Sequence, residues 1–151
     1  MVDYVRPCKT KKISDDFADH KARGSGLPGI DYVCPIGETV WASAEGVVIK
    51  TSNRANQPNG KHVVIEHPDK AKSYYLHLSE ISVKVGQHVT RNEHIGKSGN
   101  TSAGNSTGAH LHFTLINSKG KATDPAPVLK ASLERINAAK AVTITPPENS
   151  E

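Results

Sequence analysis

No apolar run in this 151-residue sequence approaches the roughly 20 residues a membrane-spanning helix needs, so a bilayer span is excluded. Aromatic residues are scarce at 5%. With Trp41 as the one tryptophan, a carbohydrate-binding module that stacks sugars on an aromatic face is a poor fit. No zinc-finger, RNA-recognition or basic-helix signature appears, and the net charge of +4 is spread thinly rather than gathered into a stripe. No nucleic-acid partner is therefore expected, whereas an anionic polymer such as a bacterial cell wall suits the charge. The chain has no HExxH helix, which excludes the zinc-protease arrangement that draws its base from a glutamate. Cysteine is limited to Cys8 and Cys34, far apart and in no CxxC pair. They read as two reduced, buried thiols or as one disulfide tying the N-terminal arm to the domain. The opening stretch MVDYVRPCKTKKISDD lacks the continuous apolar core of a signal peptide, so synthesis in a cytoplasm without general secretory export is the expectation.

Short β-type runs are present, separated by breakers: Thr39 to Thr51, His62 to His67, Ser73 to Leu78, Ile81 to Val85 and His110 to Ile116. The intervening Asn53–Gly60 and Gly96–Gly108 stretches are rich in Gly, Asn and Ser. Regular short strands with such turns predict a mainly β, antiparallel architecture. A chain of this length supports one core. The segment DPAPVLKASLERINAAK differs, with Val128, Leu129, Leu133, Ile136 and Ala139 spaced for one face of a helix. The organisation expected is an N-terminal arm over 1–14, a domain over 15–130, and a short C-terminal helix and tail over 131–151.

The chemistry concentrates in STGAHLHFTLI. Residues i and i+2 of a strand share a face, so His110 and His112 point one way while Leu111 and Phe113 point the other. Two imidazoles on one face can ligate one metal, or one can ligate while its neighbour moves protons. His77, between Leu76 and Leu78, lies in another strand, and Asp31 is followed at once by an apolar run. Burying three imidazoles and a carboxylate is costly unless they pair or coordinate. His62 and His67, bracketing VVIE, read as structural hydrogen-bonding groups, and His88 and His94 as solvated.

The succession GIDYVCPIGETVWASAEGVV, HVVIEH, YYLHLS, VKVGQHVTRNEHIGKSGNTS and STGAHLHF resembles the zinc-dependent cell-wall endopeptidases of the lysostaphin type, the M23 metallopeptidases. The resemblance implies an antiparallel β-sheet M23 peptidase fold, akin to the duplicated hybrid motif, with its groove over one sheet. It implies one zinc ion per chain and hydrolysis of peptide bonds in peptidoglycan stems or cross-bridges. It implies further that Asp31 and His112 bind the metal and that His77 and His110 stand beside it as catalytic groups. One departure is plain. The family carries its first histidine ligand four residues before the aspartate, where this chain has Leu27. The nearest upstream histidine is His20, separated from Asp31 by a loop with glycines at 24, 26 and 29. His20 is the candidate third ligand, an arrangement similar to that of phage-encoded members; otherwise it is a surface residue and the metal site is degenerate.

Two imidazoles and a carboxylate leave one tetrahedral position of a zinc ion for water. Proton transfer falls to His110 and His77, with His110 the expected base. The loops Ser52–Gly60 and Gly99–Gly108, including Asn100 and Thr101, are candidate groove walls, and Arg23 a candidate for a substrate carboxylate. The expected biology is a phage lysin or virion-associated lytic protein acting at the cell wall. The alternative is a non-catalytic module of the same fold that binds cell wall or a partner.

Overall fold

The structure, a computed structural model, describes residues 1–101 and 108–144, with side chains to residue 141. Most of the expected Gly99–Gly108 groove wall (102–107) and the tail beyond 144 lie outside the described residues.

Among the described residues ten strands and two helices succeed one another: β1 (Ile13–Asp15), α1 (Phe17–Ala22), β2 (Ile30–Tyr32), β3 (Thr39–Trp41), β4 (Gly46–Ser52), β5 (Lys61–Glu66), β6 (Lys72–Ile81), β7 (His88–Val89), β8 (His94–Ser98), β9 (Leu111–Ile116), β10 (Ala122–Thr123) and α2 (Pro125–Ile144). Every strand pairing is antiparallel. The main path runs β1-β2-β9-β6-β5-β4-β7, with β10 beside β9 and β8 joining β3 to β6. The mainly antiparallel β fold expected from the short strands is thus observed. Along β9, Leu111, Phe113 and Leu115 enter the core while His112 and Thr114 occupy the other face, also buried. Tyr75 of β6 packs against Phe113 with ring centroids 5.5 Å apart, tying the two central strands.

Three segments depart from the expectation. Thr39–Thr51 divides into β3 and β4, because Ala42 N–H turns to the Glu93 carbonyl and Ser43 is captured by the arm through Val5. The Ile81–Val85 run leaves its strand after Ile81: Lys84 N–H takes the Gln87 side chain in a turn that closes at Gly86, and Val85 is exposed. Helix α1 was not anticipated, since six residues are too few for a periodicity signal. It is specified by its cap instead. Asp16 Oδ1 accepts from Asp19 N–H at 2.8 Å and Asp19 Oδ2 accepts from Asp16 N–H at 3.1 Å.

The C-terminal helix read from DPAPVLKASLERINAAK is present from Pro125, and it docks on only part of the expected stripe. Pro125, Val128, Leu129, Ser132 and Ile136 face the body while Leu133 is 55% exposed. Its anchor is polar: Ser132 Oγ, fully buried, accepts from Tyr4 N–H at 2.9 Å. The arm adds Val5 N–H to Ser43 and Trp41 N–H to Pro7, so residues 4–8 behave as part of the domain.

One buried polar chain ties these parts together. Ser43 N–H donates to Tyr75 Oη (2.9 Å), Tyr75 O–H to Ser73 Oγ (2.7 Å), Ser73 O–H to His67 Nε2 (2.8 Å) and His67 Nδ1–H to the Glu45 carbonyl (2.6 Å). In that order every group is satisfied with a neutral imidazole. A protonated ring would donate to Ser73 Oγ and leave either the Ser73 or the Tyr75 hydroxyl proton without an acceptor. Burial holds the His67 ring below its ordinary pKa, in agreement. Tyr75→Phe removes the acceptor for the buried Ser43 N–H and should cost about 1–3 kcal/mol. The expected thermal midpoint falls by roughly 3–8 °C in a melting curve; an unchanged midpoint would show that the chain does not couple these strands.

Candidate metal centre

Strand β9 lies between β2 and β6, and its register decides which side chains meet. Asp31 of β2 is directly opposite His112, and Leu76 of β6 is opposite His112 on the other side. The Asp31 carboxylate consequently reaches both partners. Its Oδ1 is 2.8 Å from His112 Nδ1 and its Oδ2 is 3.2 Å from His20 Nε2. His110 Nε2 is 4.0 Å from Oδ1. His20, Asp31 and His112 are all buried, at 3%, 8% and 5% exposure.

His20 arrives from α1. Its Nδ1–H donates to the Asp16 carbonyl at 2.8 Å, the residue that caps the helix, so the cap that starts α1 also orients the ring. The expected glycine loop therefore returns the chain beside itself through a helical turn, with β1 paired to β2. Leu27, which stands four residues before Asp31, contributes its backbone. The Leu27 carbonyl accepts from His112 Nε2–H at 2.7 Å and from Thr114 O–H at 2.9 Å. That contact needs Gly29, where a Cβ would collide with the Phe113 carbonyl.

Both rings thus spend one N–H on a backbone carbonyl and turn the other nitrogen toward the carboxylate. With neutral rings, two nitrogen lone pairs face carboxylate oxygens, an arrangement that either two extra protons or one cation resolves. A divalent metal ion fits: the donor atoms of His20, Asp31 and His112 lie within 4.8 Å of one another, and the backbone acceptors fix the tautomers a metal requires. The electrostatics of the metal-free site agree. Burial alone would raise the Asp31 carboxyl, but hydrogen bonds from His112 and His20 outweigh it and hold the group well below the usual carboxylate range. Burial would likewise lower His20, yet its contacts with Asp31 and the Asp16 carbonyl raise it.

His77 stands beside this set for a reason the alternation of β6 does not supply. It has φ +64°, in the left-handed region, at a register shift where Tyr75 and Leu78, three apart, both enter the core. The irregularity turns Leu76 and His77 together into a cavity of about 480 Å³ that His20, Asp31, His110 and His112 also line. The rings of His77 and His110 are 4.9 Å apart, and those of His77 and His112 6.1 Å. His77 Nδ1–H donates to the Thr101 carbonyl at 2.7 Å, and His110 Nδ1–H to the Gly108 carbonyl at 2.8 Å. Burial pushes His77 down to about 4, only partly offset by that bond to Thr101, so the ring is neutral at neutral pH.

The expected substrate contacts divide. Arg23 lines the cavity but pairs with Asp15 at 2.9 Å. Thr101 faces inward: its hydroxyl accepts from Lys61 N–H (3.0 Å) and donates to the Leu78 carbonyl (2.7 Å) while its own carbonyl holds His77. Asn100 is half-buried next to it. Sequence reading missed this support beneath His77. Its one signal is Gly60, in the left-handed region at φ +59°, where a Cβ would strike the Thr101 carbonyl.

Residues 25–125 match the model of peptidase family M23. Peptidoglycan DD-endopeptidase ShyA of Vibrio cholerae is 49% identical over 88 residues, covering 58% of this chain and 20% of its own length. The chain spans about a fifth of the length of ShyA and of the curated relatives like it. Among solved structures, a zinc-containing peptidase from Vibrio cholerae matches with TM-score 0.66 at 32% identity, over 81% of this chain and 39% of that one. Lysostaphin from Staphylococcus simulans matches with TM-score 0.68 at 29% identity, over 91% and 55%.

Gly60→Ala should push the Thr101 segment away and destabilise the chain by about 1–3 kcal/mol, read as a lower urea midpoint; equal midpoints would mean that the contact is slack. A second expectation concerns acid. An imidazole titrating near 6.5 when unfolded but near 4 when folded leaves stability intact above pH 6.5 and removes it as pH falls toward 4. In metal-free protein, His77→Gln should abolish that part of the acid loss, at most about 3 kcal/mol, in denaturation measured across pH 7 to 4. Parallel profiles for the two proteins would contradict it.

Proposed function

The chain belongs to peptidase family M23, and from that premise we propose that it is a zinc-dependent endopeptidase that hydrolyses peptide bonds of bacterial peptidoglycan. His20, Asp31 and His112 hold one zinc ion; His110 and His77 are the catalytic groups. The observation that carries this reading is the Asp31 carboxylate, with one oxygen turned to His20 Nε2 and the other to His112 Nδ1. The case for a binding-only module rested on Leu27 in the usual ligand position. His20, brought to Asp31 by α1, supports the catalytic reading instead.

When bound, zinc supplies Lewis acidity that brings the pKa of a water toward about 7 from about 15.7. The side chains do the rest. Because Nδ1–H of His110 and of His77 is committed to a backbone carbonyl, Nε2 of each neutral ring is the nitrogen that takes a proton. His110 keeps 20% side-chain exposure, and burial keeps His77 neutral. His110 Nε2 accepts the proton of the attacking water, and the imidazolium so formed returns it to the leaving amine nitrogen. His77 accepts a hydrogen bond from the water and fixes its orientation. Arg23 offers a substrate carboxylate a cation in competition with Asp15. Thr101 acts through His77.

The identity with ShyA, named a DD-endopeptidase, favours an amide between D-configured centres in the cross-links, and the place of action is then the cell wall. None of the relatives named above is described as a phage protein, so a lysin or virion role rests on the sequence reading alone.

Zinc content and hydrolysis of isolated sacculi test the reading together. Purified protein should hold one zinc per chain by plasma emission and release cross-linked peptides from sacculi, both lost on chelation. His20→Ala should lose the metal, whereas His110→Ala should keep it and turn over 10²–10⁴-fold more slowly. Zinc-loaded protein that leaves direct and glycine-bridged sacculi intact would overturn the enzyme reading, and full zinc retention in His20→Ala would overturn the ligand set.

A further inference from the structure

The strand that carries Asp31 has a second face that the proposed chemistry does not use. Ile30 and Tyr32 flank Asp31 and, by the alternation of β2, point to the opposite side of the sheet. There they line an open, mainly apolar cavity of about 440 Å³ together with Ile13 of β1, Trp41, and Leu129 and Leu133 of α2. Ile13 and Leu133 are 44% and 55% exposed, two large apolar side chains left to solvent. Three features say what would cover them. The first is charge: Arg6, Lys11 and Lys130 also line the cavity and no acidic residue does. Among the described residues none of these cations is paired with a carboxylate, and the Arg6 guanidinium donates only to the Cys8 and Lys9 carbonyls. The second is a buried donor. Tyr32 is 2% exposed, and among the described residues its hydroxyl has no hydrogen-bond partner, whereas Tyr4 O–H is committed to Asp69 at 3.0 Å and Trp41 Nε1–H to the Arg6 carbonyl at 2.6 Å. The third is a free edge. Strand β1 ends the main path of the sheet. Val33 N–H bonds the Lys12 carbonyl across to β2, so Ile13, the next residue, turns its own N–H and C=O outward.

We propose that this face docks an extended peptide segment of a partner protein, with alternate side chains apolar and a carboxylate at each end. The segment adds to β1 as a strand, pairing with the free N–H and C=O of Ile13. Its side chains on the face that Ile13 shares fall into the cavity, against Trp41, Leu129 and Leu133. Its carboxylates meet Lys11 and Lys130, and the Tyr32 hydroxyl donates to an oxygen carried in with it. Charge complementarity favours this occupant over a second copy of the chain, which would bring the same cations against one another. The edge of β1 favours it over an acyl chain or a membrane surface, which would leave the Ile13 backbone unpaired. The site lies behind the metal centre, so binding there is separate from hydrolysis.

Trp41 is the one tryptophan of the chain, so its emission reads the cavity directly. The probe is the capped peptide Glu-Leu-Thr-Val-Thr-Leu-Glu, titrated into the full chain, with a control in which Lys replaces both Glu. The Glu-ended peptide should give a saturable change with a midpoint below about 1 mM, and the Lys-ended control should bind at least about tenfold more weakly. Leu133→Asp, at a position exposed enough to tolerate the change, should weaken binding by roughly tenfold or more. Tyr32→Phe should weaken it by roughly two- to tenfold. The Lys11→Glu, Lys130→Glu double variant should invert the preference and favour the Lys-ended peptide. Melting curves matching the wild type show that each variant is folded. No saturable response, equal affinity for the two peptides, or binding unchanged in both Leu133→Asp and the charge-reversed variant would overturn the proposal. So would an emission change produced by phosphatidylglycerol vesicles and not by the peptide, or dimers in sedimentation that Leu133→Asp abolishes, since these assign the face to a membrane or to a second copy.

Discussion

The molecule is organised around a single buried carboxylate. Asp31 sits in a three-residue strand with neither neighbour exposed, and it is stable there only because an imidazole faces each of its oxygens. Much else serves those two contacts. Strand pairing puts His112 opposite Asp31, and the Leu27 carbonyl and Thr114 hydroxyl hold the far nitrogen of His112. The cap of a six-residue helix holds His20. Each donor is set by backbone or by a side chain bound to backbone, which is the precision a ligand set needs.

The pair proposed as catalytic is held differently. His110 and His77 each lean on a carbonyl of the segments flanking residues 102–107, and His77 occupies a backbone conformation that non-glycine residues adopt only when their surroundings insist. Thr101 supplies that insistence through three hydrogen bonds, and Gly60 supplies the room. The half of the site built on paired strands and the α1 cap therefore holds the proposed ligands, and the half tied to loops holds the histidines proposed to move protons.

Much of this was legible in the sequence for physical reasons that can be named. The period of two along β9 put His110 and His112 on one face, and the short β runs between glycine and asparagine turns gave the antiparallel class. The position of His20 was found only as the nearest histidine. The pattern that places it is Asp16-x-x-Asp19, a reciprocal cap, which reads as an acidic surface stretch when its geometry is not considered. The bulge at His77 was invisible because Tyr-Leu-His-Leu alternates acceptably as an unbroken strand. Leu133 misled because the C-terminal helix anchors through the buried Ser132 hydroxyl, a polar contact to which an apolar stripe is blind. Thr101 was placed in the groove by its loop-like neighbours, although its hydroxyl and carbonyl are both turned inward.

The most direct test of the central claim is the anomalous difference map of a crystal of the chain grown with zinc. A single peak within about 2.0–2.2 Å of His20 Nε2, an Asp31 oxygen and His112 Nδ1 is the predicted result. A zinc peak elsewhere, or one at Asp31 and His112 with the His20 ring turned away, would contradict it.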